Sequence, residues 1–185
     1  MTTVVEWSPQ TARTACLAHT WISGWHTGGV EAIVTDVHKA GWECLLIEST
    51  SNGPFTHTTR ADVLAAGATI IGPDPRDIQA VLATVDEVLH RRLNRPGAER
   101  PRVDQRPLLL LVGDGDHIHN DVLQRIAFLG RAADVHLAVD ERARWRTPIT
   151  FNDNVAAVYR GRVPQTPNGA RRQGNSPHER DDRNC

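Results

Sequence analysis

Residues 19–41 read HTWISGWHTGGVEAIVTDVHKAG, and the fold turns on how this stretch is interpreted. The residues from about Cys16 to Ser23 predict a strand that ends at a glycine-rich turn. Beyond the turn, Val30, Ile33, Val34 and Val37 recur at helical spacing, which predicts a helix ending near Ala40 and Gly41. Strand, glycine turn and helix in this order invite comparison with the pattern G-x-x-x-x-G-K-S/T, whose backbone amides cradle phosphate. Gly24 and Gly29 supply its first and sixth positions. The seventh position, where a lysine reaches the phosphates, is Val30. The eighth, where a hydroxyl holds magnesium, is Glu31. The stretch has the frame of a phosphate-binding loop without the side chains that do the chemistry.

The rest of the chain supplies the context in which such a loop has meaning. Residues 1–13 read as an irregular lead-in. Glu43 to Glu48 reads as a short buried strand, residues 49–62 as polar and turn-like, and Thr69 to Ile71 as another short strand. Asp74-Pro75-Arg76-Asp77 is a helix start: Asp74 can cap, Pro75 suits the first helical position, and Asp77 lies in the first turn. From there Ile78, Val81, Leu82, Val85, Val88, Leu89 and Leu93 form one apolar stripe. Residues 94–106 read as an arginine- and proline-rich surface loop. Leu108 to Val112 is apolar throughout, as a central parallel strand buried on both faces should be. Asn120 can cap a helix that turns Val122, Leu123, Ile126 and Leu129 inward. Val135 to Val139 and Val155 to Tyr159 predict two further strands. Alternating strands and helices imply an α/β fold with a mostly parallel sheet and helices on both faces.

With 185 residues and 39% hydrophobic content, the chain suits one domain, 1–163, followed by a polar, disordered tail, 164–185. A net charge of −1 gives no general drive toward nucleic acid or acidic membranes. Three widely spaced cysteines, Cys16, Cys44 and Cys185, argue against a disulfide framework and fit a reducing cytosol. The N-terminus lacks the basic-then-apolar pattern of a signal peptide, and the expected location is cytoplasmic.

The order of these pieces resembles the motor domain of the FtsK/SpoIIIE family, P-loop ATPases whose members pump DNA, drive conjugation or power secretion. The resemblance covers roughly residues 15–163. It rests on the strand, glycine loop and helix of 19–41, the long helix IGPDPRDIQAVLATVDEVLHRRL, the strand RPLLLLVGDGDHI, the segment LQRIAFLGRAADVHLAV and the closing FNDNVAAVYRGRV. The segment Leu129-Gly130-Arg131-Ala132-Ala133 with His136-Leu137 is the most specific of these. The resemblance implies a RecA/FtsK-type P-loop fold, ATP and magnesium as ligands, assembly with copies of itself or related ATPases, and DNA as cargo.

The departures fall on catalytic positions. Phosphoryl transfer depends on charge neutralisation by lysine and magnesium. Val30 supplies no charge, and Glu31 places a carboxylate where phosphate would sit. Gly113 stands where the family has its magnesium-binding aspartate, although Asp114 could serve as the catalytic base. Asp140-Glu141-Arg142 replaces a nucleotide-sensing Thr-Gln-Arg.

The degenerate loop Gly24, Trp25, His26, Thr27, Gly28, Gly29, Val30 and Glu31 is then either a residual anion cradle at a helix N-terminus or a plain turn. Arg131 is either an arginine-finger-like group or a cation suited to a helix C-terminus. The arginines between 91 and 106 either contact an acidic partner or DNA phosphate, or form a solvated face. Three readings of function stay open. The first is a non-catalytic pseudo-ATPase that binds a protein, either itself or a related FtsK-like ATPase, with no cofactor beyond weak ATP and magnesium binding. The second is a divergent active ATPase that moves DNA. The third is a small metal-dependent hydrolase using the Asp114-Gly115-Asp116-His117-Ile118-His119 cluster.

Overall fold

Leu108–Val112 is buried at all five positions, and its alternating side chains serve two different cores. Leu108, Leu110 and Val112 join one apolar cluster, while Leu109 and Leu111 join another on the opposite face. A strand covered on both faces has no polar side, which is why it reads as an unbroken apolar run. A computed structural model of the chain describes residues 3–14, 19–23, 29–47, 60–95, 105–113, 121–140 and 155–160. Its strands are β1 (Thr3–Glu6), β2 (His19–Ser23), β3 (Glu43–Ile47), β4 (Thr69–Ile71), β5 (Leu108–Val112), β6 (Val135–Asp140) and β7 (Val155–Arg160). Its helices are α1 (Pro9–Thr14), α2 (Gly29–Lys39), α3 (Arg60–Ala65), α4 (Pro75–Leu93) and α5 (Asp121–Leu129), with a 3-10 turn at Gly130–Ala133.

The strands form one sheet in the order β1-β7-β2-β6-β5-β3-β4, and each neighbouring pair is parallel. From β2 the chain steps three places along the sheet to β3 and one further to β4. It then reverses, stepping back through β5 and β6 to β7. Parallel crossovers keep one hand, so reversing direction moves the connecting helices to the other face. The two clusters follow this division. Ile33, Val34 and Val37 of α2 and Val63 of α3 pack with Leu46, Leu109, Leu111 and Ala138 on one face. Ile78, Leu82, Val85 and Leu89 of α4 pack with Leu123 and Ile126 of α5 on the other. Burying an aliphatic side chain of this size is worth roughly 1.5–3 kcal/mol, so each stripe anchors its helix.

The helix ends follow local rules. Asp74 caps α4 by accepting a hydrogen bond from the Arg76 amide at 2.8 Å, with Pro75 at the first helical position. Gly41 leaves α2 with φ of 78°, a left-handed conformation that favours glycine, and the Trp42 amide donates back to the Val37 carbonyl at 2.9 Å.

The lead-in is not irregular. Residues 3–6 form the edge strand β1, paired with β7, and residues 9–14 form α1. Ser8 and Thr11 fix the start of α1 reciprocally: the Thr11 amide donates to Ser8 Oγ at 3.1 Å, and the Ser8 amide donates to Thr11 Oγ1 at 2.7 Å. Trp7 is 2% exposed and meets Trp42 edge to face, with centroids 5.9 Å apart. These two tryptophans are core residues. The turn-like reading of residues 49–62 also fails at its end, because α3 begins at Arg60. The expected tail, 164–185, lies outside the described residues.

Candidate functional site

In an open parallel sheet, ligands favour the crevice beyond the carboxyl ends of strands whose connections diverge. The gap between β2 and β6 is such a point. The chain leaves β2 toward β3 on one side and leaves β6 toward β7 on the other. Register fixes which residues reach it. Ile22 pairs with Asp140, Trp21 with Val139, and Val139 in turn stands beside Val112. Val112 neighbours Ile47, whose carbonyl accepts a hydrogen bond from the Gly113 amide at 3.3 Å. The last residues of β2, β6 and β5 therefore share one edge of the sheet. The glycine turn, the Gly113 position and the Asp140 position follow from those strands. Asp114, Trp25, His26 and the other loop residues 24–28 lie outside the described residues, as does the Asp114–His119 cluster.

Three side chains at this edge are described, and each has a local cause. Gly29 opens α2 and is buried. Val30 is 1% exposed and packs in the core on the α2 face of the sheet. The position that a lysine would need for reaching phosphate is thus an interior apolar position. Glu31 is exposed in the first turn of α2, where a carboxylate complements the helix dipole. Asp140 is 4% exposed, although β6 is otherwise almost wholly apolar. Alternation places it on the same face as Ala138, the face covered by α2. Asp140 is thus a buried acid at the divergence of β2 and β6.

The described residues of this edge, interior Val30, Gly113 and buried Asp140, offer no cation to a magnesium nucleotide. Apposed anions repel strongly in a poorly solvated site. Among the described residues, no three His, Cys, Asp or Glu side chains converge as metal ligands would.

Arg131 lies at the other edge. It is exposed in the 3-10 turn just before β6 begins. Gly130 beside it is there for packing, since a Cβ would run into the Val135 carbonyl oxygen. Arg92 is not a free surface cation. Its guanidinium donates to the carbonyls of Ala133 and Asp134, each at 3.1 Å, and of Arg106 at 2.9 Å. Burial lowers its pKa, and the nearby Asp134 and Glu43 oppose that shift. The arginine-rich reading thus separates into one structural arginine and several exposed ones.

Sequence reasoning missed a second polar centre at this amino edge. Asp134 takes the left-handed conformation, φ 54°, and is 3% exposed. Its Oδ1 is 3.1 Å from His136 Nε2, and its Oδ2 is 3.1 Å from Arg13 Nη2, close enough for charge pairing but not aligned for a hydrogen bond. His136 also lies against Trp42, with ring centroids 4.7 Å apart. The centre ties α1 to the start of β6 and has the character of a structural clamp. No described helix is long and apolar enough to cross a membrane.

Compared with known proteins, the chain matches no family model, no curated protein and no solved structure.

Proposed function

We propose that this chain is a degenerate FtsK/SpoIIIE-type P-loop domain that has kept the framework, lost hydrolysis, and works by binding a protein. One observation carries the reading. The parallel register gathers the ends of β2, β5 and β6 at a single edge, as a nucleotide site requires, yet Val30 there is an interior core residue. The framework supports the resemblance, and the side chains at its key positions oppose phosphate and magnesium.

The test is isothermal titration of the full chain with magnesium-ATP. The expected result is no binding tighter than about 0.1 mM, roughly −5.5 kcal/mol. Micromolar, magnesium-dependent affinity would replace this reading with that of a divergent active ATPase.

A further inference from the structure

Each helix lies between two parallel strands and so runs against them. The starts of the described helices collect at the carboxyl edge of the sheet and their ends at the amino edge. Most terminal charges sort in the same way: Glu31, Asp62, Asp77 and Asp121 lie in first turns and Arg13, Lys39, Arg91, Arg92 and Arg131 in last turns, against Arg60 and Arg76 at helix starts and Asp36 at a helix end. Charges that complement individual helix dipoles cancel in a molecule whose helices point both ways. Here they add. A net charge of −1 conceals a basic amino edge.

The basic character is concentrated on the α4 and α5 side. The three hydrogen bonds of Arg92 draw the end of α4, the segment leading into β5 and the 3-10 turn together. Arg91, Arg95, Arg106 and Arg131 are exposed there, and none forms an ion pair with another described residue. Phe128 and Leu129 end α5 immediately before the turn and are 49% and 46% exposed. Among the described acids nearby, Asp134 is buried against Arg13 and His136, Asp86 is held by Arg125 at 2.7 Å, and Glu43 and Glu87 are exposed.

We propose that this amino-edge surface, with Arg91, Arg95, Arg106 and Arg131 beside Phe128 and Leu129, docks an acidic protein segment that carries apolar side chains. The combination selects the partner class. Exposed arginines call for carboxylates or phosphates, and arginine forks suit both. Two half-exposed apolar side chains among them gain nothing from a phosphate backbone, but they gain burial from an apolar residue on a peptide. The inference rests on the protein-binding function proposed above and assigns it a surface and a partner chemistry.

The test is selection of random phage-displayed peptides on the full chain. Peptides rich in Asp and Glu with interspersed apolar residues are expected. In fluorescence anisotropy, the best of them should lose about tenfold or more in affinity on the double variant Arg91→Glu, Arg95→Glu. Phe128→Ser should also weaken it. Thermal melts matching the parent would show that both variants fold, as expected for exposed positions. Recovered peptides without acidic excess would overturn this surface assignment while leaving a protein-binding chain. An empty selection, or undiminished binding to both folded variants, would also overturn it. So would a short DNA duplex that binds more tightly than the best peptide, in favour of nucleic acid.

Discussion

Arg92 and Asp134, separated by forty-two positions in sequence, are joined where the Arg92 guanidinium donates to the Asp134 main-chain carbonyl at 3.1 Å. The same carbonyl accepts from the Leu108 amide at 3.0 Å, so Arg92 completes a junction between α4, β5 and the entry to β6. Arg92→Ala leaves three carbonyls without this donor. A hydrogen bond from a charged group contributes about 1.5–3 kcal/mol, and a loss of about 2 kcal/mol in urea unfolding is expected. Arg92→Lys should recover only part of it, since an ammonium cannot reproduce the planar fork. A loss below about 0.5 kcal/mol, the range of ordinary surface changes, would contradict the junction.

Gly130→Ala tests the close approach of the 3-10 turn to β6. The added Cβ meets the Val135 carbonyl oxygen, which is backbone and cannot swing away. Overpacking of this kind costs about 1–3 kcal/mol. The expected outcome is a lower melting temperature by circular dichroism. An unchanged melt would mean that the turn yields freely.

Val30→Lys separates a phosphate-facing position from an interior one. Val30 is 1% exposed among apolar neighbours, so a lysine there must lose its hydration or its charge. Destabilisation of about 3 kcal/mol or more is expected, with no gain in ATP affinity. A stable variant that binds magnesium-ATP better than the parent would place the side chain toward the loop instead.

Cys44 provides a pH readout. Burial pushes its thiol from 9.0 to about 12. Between those values the folded chain holds a proton that the unfolded chain releases, so the stability conferred is present below pH 9 and is lost as pH rises toward 12. Peptide mapping after alkylation at pH 8 should find Cys44 unmodified in the native chain and modified in urea. Rapid native alkylation would show that the α2 face opens easily.

Much of the framework is legible in the sequence. The strands at 43–47, 69–71 and 108–112 and the helix after Asp74 are read within a residue or so. Burial on both faces turns a strand into an apolar run, and capping chemistry marks a helix start locally. The misses have equally physical causes. Four residues of β1 and six of α1 carry too little periodicity to register, and what holds them is distant: pairing with β7 and Trp7 against Trp42. Ser8-Pro9 carries the same start signal as Asp74-Pro75 and could have located α1. The site was only half visible. Register brings the ends of β2, β5 and β6 to one edge, but the interior setting of Val30 and the burial of Asp140 depend on packing across the sheet. Arg92 looked like its exposed neighbours because the carbonyls it serves lie forty or so residues away.

Steady-state ATP turnover by the purified full chain tests most directly the proposal that a P-loop framework survives here without its chemistry. On that proposal, the absent lysine, hydroxyl and magnesium carboxylate would each remove transition-state stabilisation commonly worth about 3–4 kcal/mol. The account predicts no turnover above that of an Asp114→Ala control. Turnover near about 1 per second, the low end for ordinary enzymes, that disappears in that control would contradict it.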